Sequence, residues 1–398
     1  MTIMKCREGN LCYLQSGGPT EVINSSFLGL YQTYKEKLPK SKFYVSRFGI
    51  AGLLSGELQD ISKKKLPNLL VRPGAYFGSL RKRLTDDVDS AEAKSIIATL
   101  KKYQIKFLFL NGGNDSMDSA YKIGLYLKAS DYQCQIAGIP KTIDNDLANT
   151  DHTPGFASAA KFIANAVIGI NIDDHSYDKG RINIVEAMGR DCGYLAASSY
   201  LANKKKFGPD YIYVPEVAFD VKDAINKAEA TYKKTGHCLM VVSEGIRDKD
   251  GVFIASIQQK DSFGHTQMGG VGLYLANLIN QDGIKTRAIE LSLMQRSGSF
   301  VSCKRDIDEA KGVGRNALLK MLKGKDQFMV SIKRVSNKPY KIIYDDCPLK
   351  GVAEIAISLP KKFISKSKDN ITPSFMDYAL PLIQGEEPDT FADGLLNV

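Results

Sequence analysis

The chain has 398 residues, 43% of them hydrophobic, and carries 54 Lys and Arg against 44 Asp and Glu, a formal charge of +10. That apolar content excludes a disordered chain, and at roughly 100–200 residues per domain the length suits two or three domains. No run approaches the ~18 apolar residues of a membrane span and the first residues show no apolar leader, so a cytoplasmic protein is expected.

The seven cysteines (Cys6, Cys12, Cys134, Cys192, Cys238, Cys303, Cys347) contain no CxxC pair. They are expected to be reduced, mostly buried thiols rather than a disulfide framework or a zinc site. Four scattered histidines (His152, His175, His237, His265) speak against a histidine-based metal centre. The basic residues gather only in short runs, Lys63 to Lys65, Lys204 to Lys206 and Lys361-Lys362. Solvated surface and a small polyanionic substrate both account for that pattern better than a nucleic-acid groove, which takes basic stripes interleaved with aromatics.

The first expected strand, Leu11–Gln15, runs into Gln15-Ser16-Gly17-Gly18-Pro19-Thr20 and then a helix over Glu21–Glu36. Paired glycines before a helix N-terminus can cradle a phosphate, and a tight strand-to-helix turn gives the same sequence. A strand over Phe43–Phe48 follows. Next come the glycines and bases of Val71-Arg72-Pro73-Gly74-Ala75-Tyr76-Phe77-Gly78-Ser79-Leu80-Arg81-Lys82-Arg83, which can meet polyphosphate oxygens or form a basic surface turn. Strand Ile105–Leu110 then enters Asn111-Gly112-Gly113-Asn114-Asp115-Ser116 and a helix over Asp115–Lys128, a second cradle of the same design. Neither cradle has the GxGxxG or GK[ST] pattern, which disfavours nicotinamide cofactors and P-loop chemistry.

Strand Gln133–Gly138 leads to the most specific segment, Pro140-Lys141-Thr142-Ile143-Asp144-Asn145-Asp146. It offers one carboxylate to take a proton from a hydroxyl, another for a divalent cation, and a lysine for a transferring group. Beyond it the expected elements are helix Phe156–Asp173, strand Arg181–Val185, helix Asp191–Ala202, strand Tyr211–Val214, helix Val221–Lys234 and strand Cys238–Ser243. This alternation indicates an α/β fold with mainly parallel sheets, whose ligands bind at the carboxyl ends of strands.

With Gly180 to Arg190 (GRINIVEAMGR), Ser243-Glu244-Gly245, Arg287 and Gln295-Arg296, the acidic turn resembles the 6-phosphofructokinase family over roughly residues 10–300. The resemblance implies two Rossmann-like α/β domains with the active site in the interdomain cleft. A phosphoryl-donor domain is expected at 1–150 plus about 295–348, and a sugar-phosphate domain at 151–294 plus about 349–398. It further implies Asp144 as general base on the sugar's 1-hydroxyl, with Thr142, Lys141 and Arg190 as the other catalytic residues. The implied donor site is Gly18, Arg81, Gly113, Asp115, Ser116 and Lys141. The sugar phosphate is implied at Thr142, Ile143, Asp144, Arg181, Met188, Gly189, Arg190, Glu244, Arg287 and Arg296, two of these arginines reaching in from a neighbouring subunit.

ATP-dependent members have Gly where this chain has Asp115 and Lys141, and both changes resemble the pyrophosphate-dependent members. A carboxylate beside an ATP α-phosphate repels it by ~4 kcal/mol at 4 Å and an effective dielectric near 20. The resemblance therefore implies a reversible, Mg²⁺-dependent transfer from pyrophosphate to fructose 6-phosphate. The alternatives are ATP as donor, sedoheptulose 7-phosphate as acceptor, or a non-catalytic regulatory paralogue. Asn114 and Asp146 are the candidate metal ligands, Asn114 standing where the family often has Asp. Leu293 stands where relatives place His or Tyr against the sugar phosphate. Leu28 and Gln32 replace the effector-binding arginines of bacterial ATP enzymes, which implies non-allosteric kinetics. The arginines supplied in trans imply a homodimer or homotetramer, and no nucleic-acid or membrane partner is expected.

Overall fold

A computed structural model describes residues 9–260, 266–353 and 355–398, so Cys6 and His265 lie outside the described residues. In chain order it opens with β1 (Asn10–Gln15), α1 (Ile23–Lys37), β2 (Phe43–Val45), α2 (Ala51–Ser55), β3 (Gln59–Asp60), α3 (Ala91–Lys102), β4 (Ile105–Gly112), α4 (Asn114–Ser130) and β5 (Gln135–Pro140). An excursion follows, with α5 (Phe156–Asp174), β6 (Ile182–Ala187), α6 (Tyr194–Ser198), β7 (Tyr211–Tyr213), α7 (Val221–Thr235), β8 (Cys238–Ser243), β9 (Ser256–Lys260), β10 (Thr266–Met268), α8 (Val271–Gln281), β11 (Thr286–Glu290) and α9 (Met294–Ser297). The chain then adds α10 (Lys304–Leu322), β12 (Phe328–Asn337), β13 (Tyr340–Pro348), α11 (Pro373–Ala379), β14 (Phe391–Ala392) and β15 (Leu395–Leu396).

These elements fall into two compact units, one of residues up to Gly155 with Lys304–Ala356 and Gly385–Val398, the other of Phe156–Cys303 with Ile357–Gln384. The last segment differs from expectation. Instead of staying with the second unit, residues from Gly385 onward join the first, where Lys304 N donates to Gly385 O at 3.1 Å and Asn68 Nδ2 to Asn397 O at 2.7 Å.

The first unit is built on a seven-stranded sheet of order β13-β12-β5-β4-β1-β2-β3. Its four inner pairings are parallel and the two outermost are antiparallel. The near-continuous apolar runs of β1 and β4 follow from burial on both faces. Leu11, Tyr13, Phe107 and Phe109 pack with Phe27 and Leu30 of α1 and Val313 and Leu318 of α10. Their alternating neighbours Cys12, Leu14, Leu108 and Leu110 pack with Ile96 and Leu100 of α3 and Met117 and Ile123 of α4. Helices α1 and α10 touch backbone to backbone: a Cβ on Gly29 would lie 2.0 Å from Lys311 O, and one on Gly314 would lie 1.9 Å from Ser26 O.

A buried polar network ties this unit's late segments to its early ones. His152 is 1% exposed; its Nδ1 lies 2.7 Å from Asp151 Oδ2 and its Nε2 meets Glu309 of α10. Arg334 also donates to Asp151, and the Tyr340 hydroxyl donates to Glu309 Oε1 at 2.7 Å. Burial alone would push the His152 pKa down, but the Glu309 and Asp151 carboxylates outweigh it and hold the group up at about 9. An unfolded histidine titrates near 6.5, so the charged ring stabilises the fold in full below that pH and loses its contribution as pH rises through about 9. Calorimetric Tm should therefore fall more steeply from pH 6.5 to 9.5 in the wild-type protein than in His152→Gln, whose Tm is lower at pH 6.5. Parallel profiles for the two proteins would remove His152 as the cause.

The second unit carries a four-stranded, all-parallel sheet of order β11-β6-β8-β7. Ile182, Ile184, Met240 and Val242 bury one face of it against Ala224 and Ala228 of α7 and Val271 and Leu275 of α8. Helix α7 begins where Asp220 Oδ1 accepts from Asp223 N at 3.0 Å and ends at Gly236 with φ 83°. Among the described residues no helix is long and apolar enough to cross a membrane. The described cysteines are free thiols, all buried except the half-buried Cys134.

Candidate active site

In the first unit the three glycine-rich turns converge at the carboxyl ends of β1, β4 and β5. Ser16 N donates to Asn111 O at 2.9 Å and Lys141 N to Gly112 O at 3.0 Å, which sets the first cradle, the second cradle and the acidic turn side by side. Ser79 Oγ donates to Gly17 O at 2.7 Å and joins the third turn to the first. Lys141 is 2% exposed and its ammonium donates to Gly18 O. Gly113 is the N-cap of α4, with Ser116 N and Met117 N both donating to its carbonyl at 3.0 Å. Asp115 sits in that helix's first turn, where the helix dipole favours a carboxylate, and it faces Arg83 at 3.6 Å. Arg81 is exposed, and Lys82 is paired with Glu92 at 2.6 Å.

The acidic turn is held rigidly. Asp144 N donates to Thr142 Oγ1 at 3.1 Å, and the Asp144 carboxylate lies 3.4 Å from the same hydroxyl. Thr153 Oγ1 donates to Thr142 O at 2.8 Å and Thr153 N to Asn145 Oδ1 at 2.9 Å, fixing Asn145 in a left-handed conformation with φ 59°. Ile143 is buried between Thr142 and Asp144. Asn114 Nδ2 donates to Asp146 Oδ2 at 2.8 Å, while Asn114 Oδ1 is buried with no hydrogen-bond partner.

Two residues missed in the sequence hold this arrangement. Gln15 Oε1 accepts from Phe77 N at 3.0 Å and its Nε2 donates to Asn24 Oδ1 at 2.9 Å. Asn24 Nδ2 in turn donates to Arg72 O at 2.9 Å and Gly74 O at 2.7 Å. Both side chains are fully buried and clamp the third turn onto the end of β1. A polar residue closing an apolar strand, and an Asn on the buried face of a helix, were the available signals.

In the second unit Met188, Gly189 and Arg190 follow β6, and Glu244 follows β8. Glu244 N donates to Ala187 O at 2.8 Å and Gly189 N to Glu244 Oε1 at 3.2 Å, so the two segments form one surface. Gly245 is required there, because an added Cβ would lie 1.8 Å from Arg190 O. Arg190 Nε donates to Asp191 at 2.7 Å, and Arg247 pairs with the other oxygen of that carboxylate. Gln295 Oε1 accepts from Met188 N at 3.2 Å, which brings α9 and its Arg296 to the same end of the sheet. Leu293, next to it, is 56% exposed. Arg181 and Arg287 are not brought there. Arg181 precedes the six-residue β6 and Arg287 pairs with Asn183 near its start, so both lie close to a strand length, about 20 Å, from Met188.

A family model described as phosphofructokinase matches residues 10–315. The chain belongs to the phosphofructokinase family. It is 35% identical over 398 aligned positions to a pyrophosphate–fructose 6-phosphate 1-phosphotransferase of Halomonas elongata, covering 98% of this phosphofructokinase and 95% of the relative. To the protein of that name in Xanthomonas campestris pv. campestris it is 38% identical, covering 97% and 94%. The crystal structure of a pyrophosphate-dependent phosphofructokinase from Nitrosospira multiformis superposes with a TM-score of 0.87 at 31% identity, covering 97% of this chain and 95% of that one.

Proposed function

We infer that this phosphofructokinase reversibly transfers a phosphoryl group from pyrophosphate to the 1-hydroxyl of fructose 6-phosphate, giving fructose 1,6-bisphosphate and phosphate in glycolysis or gluconeogenesis. The observation that carries the donor assignment is Lys141. Where ATP-dependent members have glycine, this chain has a buried lysine whose ammonium rests on the Gly18 carbonyl, across the first cradle. Its charge stands where a short donor's oxygens need it, and Asp115 on the adjoining helix turn repels a longer one. The names of the Halomonas and Xanthomonas relatives support the same substrates.

The first unit serves as the donor domain, through Gly18, Arg81, Gly113, Asp115, Ser116 and Lys141. Asp144 takes the proton from the sugar hydroxyl, with Thr142 and Lys141 against the transferring group. Met188, Gly189, Arg190, Glu244 and Arg296, with Ile143 of the acidic turn, position the sugar phosphate, which makes the second unit the sugar-phosphate domain. Arg181 and Arg287, at the other end of the sheet, serve the site of a second copy, so the working enzyme is a symmetric homo-oligomer.

Mg²⁺ fits Asn114 and Asp146: a carboxylate beside a buried, unpartnered amide oxygen is an oxygen donor set suited to a hard cation. When bound, such a cation neutralises charge on the pyrophosphate oxygens. Leu28 packs against the core of the first unit rather than offering a cationic arm, which supports non-allosteric kinetics. The proposed substrates are metabolites of the cytoplasm, where we place the enzyme.

Initial rates with pyrophosphate or ATP, crossed with fructose 6-phosphate or sedoheptulose 7-phosphate, test the reading. Pyrophosphate with fructose 6-phosphate should be the fastest pair, and ATP should fall at least about a hundredfold behind in kcat/KM. Faster turnover with ATP overturns the donor; faster turnover with the seven-carbon sugar overturns the acceptor.

A further inference from the structure

The sequence spreads its histidines so widely that a histidine-based metal centre was not expected, yet the fold of the second unit stacks two of them. His175, the residue after α5, and His237, the residue before β8, have ring centroids 4.1 Å apart and ring planes at 16°. His175 Nδ1 lies 2.9 Å from Asn171 O; a carbonyl only accepts, so this nitrogen carries a proton and leaves Nε2 as the ring's ligand atom. His237 Nδ1 lies 2.7 Å from Oδ2 of the buried Asp174, whose Oδ1 accepts from Arg181 N at 3.1 Å. One donor atom from each of Asp174, His175 and His237 lies within 4.8 Å of the others, and no further group of this kind occurs among the described residues. Together with Asn171, Asn183 and Asp210 they line a pocket of about 10 Å³, room for one water-sized occupant.

We propose that Asp174, His175 and His237 form a binding site for a divalent transition-metal ion, for which zinc is the fitting probe. Two imidazoles and one carboxylate suit zinc, copper or nickel, whereas Mg²⁺ and Ca²⁺ take oxygen ligands. Three protein ligands leave a fourth position for water; ligand atoms around a tetrahedral zinc stand about 3.3 Å apart, so binding draws the group together, turns the stacked rings toward the ion and opens the His237 Nδ1 to Asp174 Oδ2 hydrogen bond. The supporting bonds are already made. The Asn171 carbonyl fixes the His175 tautomer, and the Arg181 amide orients the Asp174 carboxylate. Asp210, itself anchored on Leu239 N at 2.8 Å, adds a second negative charge at the pocket wall. His175 is exposed and gives the ion a way in.

The ion would join three segments, the end of α5, the chain entering β6 and the chain entering β8. These are the amino ends of the strands whose carboxyl ends carry Met188 and Glu244 in the same chain. Its expected effect is to stabilise the second unit.

Full-length protein stripped with chelator and returned to saturating Mg²⁺ is titrated with zinc sulfate by calorimetry and followed by Tm. One zinc per chain is expected at micromolar affinity or tighter, with Tm raised by several degrees. His175→Gln, an exposed change that keeps the fold by circular dichroism, should weaken zinc at least tenfold, as should His237→Gln. Copper bound in place of zinc should show nitrogen superhyperfine splitting in electron paramagnetic resonance that the double variant loses. Absence of the zinc event, or undiminished affinity in His175→Gln, overturns the site, and His175→Gln alone decides if His237→Gln fails to fold.

Discussion

Replacing Asp144 by alanine should lower kcat in the pyrophosphate reaction by roughly 100- to 10,000-fold, the range in which a positioned general base acts. The carboxylate sits in a turn whose shape is set by other groups: Asp144 N on Thr142 Oγ1, Thr153 on Thr142 O and on Asn145 Oδ1. Removing the carboxylate therefore leaves the backbone of the turn in place, and the KM for fructose 6-phosphate should move far less than kcat. Steady-state rates of the variant in both directions check this, because the same group must return the proton in reverse. A loss of less than tenfold would mean that another group takes the proton.

The second large effect is a change of donor. The Asp115→Gly, Lys141→Gly double variant should gain ATP activity and lose most of its pyrophosphate activity. The repulsion of ~4 kcal/mol expected between Asp115 and an α-phosphate is reduced by Arg83, but both partners are substantially solvated and such a pair is worth at most about 1 kcal/mol. About 3 kcal/mol remains, a relief of more than a hundredfold for ATP from Asp115 alone. Lys141→Gly adds room beside Gly18, where the ammonium now rests, and withdraws the charge that favours pyrophosphate. The readout is the ratio of kcat/KM for the two donors. If ATP stays excluded while the protein remains folded, other walls of the first unit set the donor.

The strands around the site were legible because buried parallel strands are apolar on both faces and stop at glycine or polar turns. Cys238–Ser243 was read to the residue, and the glycine turns fell where β1 and β4 end. The strand expected over Phe43–Phe48 ends at Val45, since Ser46 Oγ bonds Gly49 O at 2.6 Å and Phe48 turns the chain at φ 52°. The helix expected over Asp191–Ala202 starts only at Tyr194 and becomes a 3-10 turn over Ser199–Lys205, with Gly193 N held by Glu216 at 2.8 Å.

Helix α10 is not among the elements expected from the sequence; it contains Gly312 and Gly314, whose reasons are tertiary. A Cβ on Gly312 would strike the Tyr344 ring, and one on Gly314 the carbonyl of Ser26. No local spacing announces such contacts. The same holds for His175 and His237, which meet only because α5 ends where β8 begins. The far placement of Arg181 and Arg287 is invisible in a list of motifs, since strand direction decides which end of a sheet a residue occupies.

The crossing of α1 on α10 bears on how the protein is made. Synthesis at about 5–20 residues per second spends roughly 8–30 s on the ~150 residues between Gly155 and Lys304. Throughout that interval the outer edge of β5 has no β12 to pair with, and Phe27, Leu30 and Phe109 wait for Val313 and Leu318. The second unit can close part of its own core meanwhile. The nascent first unit therefore offers a chaperone an open strand edge and a bare apolar face, and a ribosome stalled before residue 304 would leave a fragment prone to aggregate through both.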